Sequence, residues 1–261
     1  MSQSNQQKSL SKGFITVATK RKQFLVGADN LKESILDYYE DAKITLFTEQ
    51  KFIDDPECQH YFRDYDQVIA TPADTNREKM WGMANSPYDI TMYFDADIEI
   101  RHEDIATVFD RIEDQDMMWV ELKKETAHHF AEWDWGDGPI DHLTHCGGVC
   151  LYRSDNPLIK EFMQDWYDYH LEMRRGDFIP KECEYIPGSF LQWDQTTLWY
   201  LLWHDPKYKQ LKWKFFEDNY RWNYYTSFGF NKDGTHNYGV VDPVVIHFSS
   251  WMDKYGDKGF L

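Results

Sequence analysis

Ile90-Thr91-Met92-Tyr93-Phe94-Asp95-Ala96-Asp97 is the stretch on which the fold turns. An uncharged run of strand formers ends on two carboxylates, which places ionised groups at the carboxyl edge of a sheet, where open α/β folds bind ligands. An Asp-x-Asp match alone carries little weight in an acidic chain, and Asp64/Asp66 and Asp114/Asp116 also fit. Both of those lie in charged, loop-like sequence, and only Asp95/Asp97 follows a strand. The structural alternative is that Asp95 caps a turn and Asp97 is merely solvated. A calcium loop is excluded, because Ile100 stands at the sixth position instead of Gly and Ala106 at the twelfth instead of Glu. Two carboxylates beside substrate phosphates are the usual coordination of magnesium or manganese.

Outward from this strand, short apolar runs alternate with helical patterns. Strands are predicted at Phe14–Thr19, Ile44–Thr48, Val68–Ala70, Ile90–Phe94 and Met117–Leu122. Helices are predicted at Leu25–Tyr39, Thr75–Asn85 (capped by Asp74 or Thr75) and Glu103–Glu113, the last with Ile105, Val108, Phe109 and Ile112 on one face. The alternation argues for βαβ units and a mainly parallel central sheet flanked by helices. Further on, Gly147–Tyr152 reads as a strand, Asn156–His170 as an amphipathic helix, Asp194–Trp203 as a helix capped by Asp194 itself, and Val244–Phe248 as a closing strand. Lys123–Thr144 and Gly176–Gln192 read as loops. No repeat or linker divides the chain, so residues 13–261 are expected to form a single domain behind a disordered tail at 1–12.

The chain has 261 residues and a net charge of −17, with a pI of about 4.9. That balance argues against non-specific nucleic-acid and anionic-membrane binding. No run approaches the ~20 apolar residues that span a bilayer, and the polar start lacks a signal core. Four cysteines in such a chain fit reduced thiols in the cytoplasm. Phe, Trp and Tyr make up 17% of residues, with 11 Trp. Most of these must be core, while exposed Trp and Tyr could serve as platforms for sugar rings.

Val244-Val245-Ile246-His247 ends a second apolar run on a histidine. Alone it would be a hydrogen-bonded core residue; paired with a strand-end Asp-x-Asp it becomes a third ligand whose imidazole favours manganese. His142, His145, Cys146 and Cys150 match no common zinc spacing and read as strand packing with buried thiols.

Six features stand in one order: Ile15–Thr19, Arg77/Lys79, Phe94–Asp97, Cys146-Gly147-Gly148-Val149, Asp194-Gln195 and His247-Phe248. In this the chain resembles the retaining GT-A glycosyltransferases of family 8, the glycogenin and galactosyltransferase type, from about Gly13 to Lys254. The resemblance implies a GT-A fold and transfer of a sugar from a nucleotide-diphospho-sugar, UDP-linked, to a glycan or other hydroxyl acceptor. It implies that Ala18 and Thr19 line the base and ribose, and that Asp95, Asp97 and His247 hold Mn²⁺ (or Mg²⁺) against the diphosphate. Lys79 or Arg77 would contact phosphate or sugar hydroxyls, Gly147 and Gly148 would admit the donor sugar, and Lys254 would be a late cation on the diphosphate. Asp194 and Gln195 would be the catalytic pair by the anomeric carbon. Cys146 stands where the family usually has Asn, and the tail after His247 lacks the family's Gly and Pro-Trp. Two other functions compete: a GT-A-like carbohydrate-binding protein without turnover, and a haloacid-dehalogenase-type phosphatase, whose later acidic box Gly136-Asp137-Gly138-Pro139-Ile140-Asp141 mimics.

Overall fold

The computed structural model describes residues 9–73, 75, 77–121, 145–184, 186, 188–225 and 242–248. In chain order the elements are β1 (Lys12–Ala18), α1 (Lys22–Leu36), β2 (Ile44–Glu49), the one-turn α2 (Gln50–Ile53), β3 (Gln67–Thr71), α3 (Lys79–Ala84), β4 (Ile90–Asp95), β5 (Ile98–Ile100) and β6 (Met117–Glu121). They continue with β7 (His145–Arg153), α4 (Pro157–Arg175), α5 (Gly188–Leu191), α6 (Asp194–Trp203), β8 (Trp213–Phe215), α7 (Asn219–Trp222), β9 (Tyr224–Tyr225) and β10 (Val245–His247).

The large sheet has the order β3-β2-β1-β4-β7-β6-β8. β1, β2, β3 and β4 pair in parallel, β6 pairs in parallel with β8, and β7 runs antiparallel to both its neighbours. The mainly parallel sheet expected from the alternation is therefore what forms. Its strands lack a polar face because both faces are covered. Phe14, Met92 and Phe94 face one core with Leu31, Ile35, Val108 and Phe109. Ile15 and Tyr93, one step along the same strands, face the other with Phe47, Trp119, Trp166 and Leu198. Trp119, Trp166, Trp199 and Trp222 are fully buried, so these four are core.

Helix α4 starts at Pro157, whose missing N–H is harmless there, under an Asn156 side chain that accepts from the Leu158 N–H. It ends at Gly176, left-handed at φ 77°, as C-terminal glycines do. Three local expectations are corrected. Glu103–Ile112 is a 3₁₀ helix, yet it buries the same Ile105, Val108, Phe109 and Ile112. Asp194 is the first residue of α6, not its cap; Trp193 holds the cap position, and the Asp194 carboxylate is committed elsewhere. The segment read as a loop after Gly176 contains a 3₁₀ turn at Lys181–Cys183 and α5.

A second, three-stranded sheet has the order β5-β10-β9. Because β5 leaves directly after Asp97 and β10 pairs antiparallel with it, His247 lies opposite Ile98. Phe248 N–H also donates to the Asp97 carbonyl at 2.9 Å. This small sheet is how a residue far along the chain reaches the end of β4.

Candidate active site at the carboxyl edge of the sheet

Asp95, Asp97 and His247 each offer a ligand atom within 4.8 Å of the others, and no other such group occurs among the described residues. His247 Nε2 lies 3.2 Å from Asp97 Oδ1, while its Nδ1 is 3.0 Å from Asn223 Oδ1. Asn223 thus accepts from Nδ1–H and leaves Nε2 facing the acids, as outer partners of metal-ligating histidines do. Asp95 Oδ1 accepts from the Tyr93 hydroxyl. Burial alone would lower the His247 pKa, but Asp97 beside it prevails and pushes it up to about 10. The corner favours positive charge, whether a proton on the imidazole or an ion. Two carboxylate oxygens and one imidazole nitrogen fit Mn²⁺ or Mg²⁺ as a donor set.

A second charged group lies across β7. Lys79 Nζ is 2.6 Å from Asp194 Oδ2 and 3.6 Å from Asp95 Oδ2, and Arg77 Nη1 is 3.5 Å from Asp194 Oδ1. Asp194 is fully buried, with 0% exposure. Burial opposes its charge, but Lys79 and Arg77 outweigh burial and hold the carboxyl below its usual range. Lys79 is likewise raised against burial by Asp194 and Asp95. Trp166 Nε1–H donates to the Asp194 carbonyl at 2.8 Å and ties α6 to α4.

Between the two groups β7 bulges. Trp119 of β6 pairs with Cys150, and the next residue, Val120, pairs with Cys146, so Gly147, Gly148 and Val149 stand out between consecutive partners. Bulges of this kind re-aim the chain beside active sites. A Cβ on Gly147 would lie 2.9 Å from Asp194 Oδ2 and 3.1 Å from Lys79 Nζ, and one on Gly148 would lie 2.6 Å from Asp95 Oδ2 and 2.8 Å from His247 Cε1. The glycines are bare because charged side chains fill the space.

A cleft of about 160 Å³, open to solvent, runs along Val17, Thr19, Phe24, Arg77, Glu78, Lys79, Tyr93, Asp95, Ala96 and Asp97. The structure therefore brings Thr19, Arg77, Lys79, Asp95 and Asp97 to one cleft, with His247, Gly148, Gly147 and Asp194 packed against them. Ala18 is fully buried in a cluster with Leu25, Leu46 and Phe52, and its carbonyl accepts from Thr48 Oγ1. Gln195 follows Asp194 on α6, its buried Oε1 without a hydrogen-bond partner among the described residues. Lys254 and the segment 122–144, including His142 and the acidic box at 136–141, lie outside the described residues.

The sequence reading missed Tyr93 and Asn223. Tyr93 was findable, since residues two apart on a strand share a face; Asn223 carries no local signal. The competing acidic pairs are structural. Asp66 accepts from the Ile44 N–H at 2.7 Å, and Asp116 from the Lys212 N–H at 2.8 Å. His145, Cys146 and Cys150 are buried on β7, and all four cysteines are free thiols. No described helix is long and apolar enough to cross a membrane.

No family model matches the chain, and no curated protein matches it. Solved structures do. The galactosyltransferase LgtC, in complex with donor and acceptor sugar analogues, aligns with TM-score 0.56 at 10% identity over 91% of this chain and 87% of that one. The bifunctional glycosyltransferase WbbM aligns with TM-score 0.53 at 9% identity, covering 94% of this chain and 47% of that one. The glycosyltransferase GlyE of Streptococcus pneumoniae aligns with TM-score 0.51 at 12% identity, covering 92% of this chain and 55% of that one. The chain spans about half the length of the last two. At these identities the likeness establishes the fold, which is GT-A as the sequence led us to expect.

Proposed function

We propose that this chain is a divalent-metal-dependent glycosyltransferase that moves a sugar from a nucleotide-diphospho-sugar, UDP-linked, to a hydroxyl acceptor with retention, residues 13–261 acting as one catalytic domain in the cytoplasm. The observation that carries the reading is the convergence of Asp95 and Asp97, which line the cleft, with the buried His247 beside them. Asp95, Asp97 and His247 would hold Mn²⁺ or Mg²⁺, which as a Lewis acid offsets the charge that gathers on a departing nucleoside diphosphate. Lys79, the first residue of α3, and Arg77, two residues before it, add fixed positive charge on the same side of the cleft. Thr19, with Val17 and Phe24, lines the end of the cleft suited to base and ribose, and Ala18 shapes that end from beneath. The Gly147-Gly148 bulge lets backbone approach the donor sugar. The sequence resemblance assigns Gln195 and Asp194 to the donor-sugar end of the site, where the buried Asp194 would act through its field and not by contact. Lys254 is assigned to the diphosphate by the sequence resemblance.

A panel of nucleotide-sugars, with and without Mn²⁺, tests this by thermal shift and donor hydrolysis. One donor should stabilise the chain only with metal, by about 2.7 kcal/mol at a hundredfold excess over its Kd, and Asp97→Ala should abolish the shift. Stabilisation by no nucleotide contradicts the reading. Sugar binding that needs neither metal nor nucleotide would identify a binding protein instead, and hydrolysis of simple phosphate esters a phosphatase.

A further inference from the structure

We propose that Asp194 is a positioning residue that holds the Lys79 ammonium off Asp95 and so keeps Asp95 available to a divalent cation. The inference rests on the metal reading above and adds a control over that same site.

Two carboxylates share one ammonium. Lys79 Nζ stands 2.6 Å from Asp194 Oδ2 and 3.6 Å from Asp95 Oδ2. The asymmetry follows from burial. Asp194 has no contact with solvent, whereas the Asp95 side chain is 27% exposed. A buried carboxylate has no water to balance it and must be met by a protein cation, while Asp95 is partly hydrated and already accepts from Tyr93. The bulge enforces the division. The Lys79–Asp194 pair sits where a Gly147 Cβ would point, and Asp95 with His247 where a Gly148 Cβ would point. Arg77, 3.5 Å from the other Asp194 oxygen, is the weaker partner and cannot replace Lys79 at that distance.

If Asp194 lost its charge, the nearest anion left to Lys79 would be Asp95. The ammonium would then neutralise a ligand oxygen and repel an incoming ion. Removing Lys79 as well would abolish the competition. Metal affinity should therefore depend on Asp194, a residue outside the ligand set, and the dependence should vanish when Lys79 is gone.

The test is titration of the full chain with Mn²⁺ alone, followed by calorimetry and by the electron paramagnetic resonance signal of free Mn²⁺. Four proteins are compared: wild type, Asp194→Asn, Lys79→Met and the double variant. Asp194→Asn should weaken Mn²⁺ binding about tenfold, an ordinary coupling between contacting charges. Lys79→Met should bind more tightly than wild type, and the double variant should match Lys79→Met. Equal affinity of Asp194→Asn and wild type, or Lys79→Met binding no more tightly than wild type, would overturn the proposal. Should Asp194→Asn or Lys79→Met fail to fold, the double variant, which leaves neither buried charge unpaired, decides it by binding Mn²⁺ more tightly than wild type. A wild type that binds no Mn²⁺ sinks the metal reading itself; a wild type that binds it, with no effect of either substitution, sinks only this inference.

Discussion

The two sides of the Gly147-Gly148 bulge hold the same chemical parts in opposite settings. On the Gly148 side, Asp95, Asp97 and His247 gather three ligand atoms in a partly exposed corner. On the Gly147 side, Asp194 is sealed from solvent and met by Lys79 and Arg77. The first arrangement concentrates negative charge where an ion can reach it. The second neutralises a carboxylate where nothing mobile can. Carboxylates invite a ligand when left under-neutralised at a cleft, and act as internal scaffolding when paired in the core.

The sharpest way to break the comparison is Gly148→Ala. The added methyl would meet Asp95 Oδ2 at 2.6 Å, so Mn²⁺ affinity should fall by more than the ~10–100-fold that losing an outer-shell partner costs. Gly147→Ala should disturb the ion pair and cost less, at most the roughly tenfold expected of Asp194→Asn; equal losses in the two variants, measured by calorimetry, would show that the bulge does not separate two functions.

Next in size, Asp194→Asn breaks a buried ion pair and should cost up to about 3–5 kcal/mol of stability at neutral pH, less whatever the ammonium regains from Asp95, read by denaturant titration. The pH sign follows from the depressed folded-state pKa of Asp194. The stability it contributes is present above the unfolded carboxylate pKa of about 4 and is lost as pH falls below that toward the lower folded value. Wild type should therefore lose stability on acidification more steeply than Asp194→Asn. No acid-limb difference would mean that the pair contributes no net charge stabilisation.

Asn223→Ala removes the acceptor that orients His247 and should weaken metal binding by about 10–100-fold with little change in unfolding temperature. Tyr93→Phe, which takes one donor from Asp95 but keeps the ring, should have the smallest effect, a few-fold in metal affinity. An order reversed between these two would place the greater control of the corner at Asp95.

The parallel half of the sheet was legible because buried parallel strands are continuous apolar runs. Each predicted strand from Phe14 to Phe94 lies within β1, β2, β3 or β4, or overruns its end by one residue. The three-residue strands β5 and β8 were not legible, because pairing, and not local propensity, makes a strand so short; β10, equally short, was visible from its apolar run at 244–248. The acid pair was visible from its position at a strand end. The partnership of Lys79 with Asp194 was not, since nothing local couples the start of one helix to the start of another. Nor was the reason for the glycines: the sequence suggested room for a sugar, and the structure adds that side chains already occupy the place a Cβ would take on either one.

Mn²⁺ titration of wild type against His247→Ala, with unfolding temperature recorded on the same samples, tests the central claim most directly. One ion per chain should bind to wild type, and binding should be lost in His247→Ala while the fold persists. An unaltered affinity in His247→Ala, or a variant that binds no metal because it no longer folds, would return His247 to the core and contradict the account.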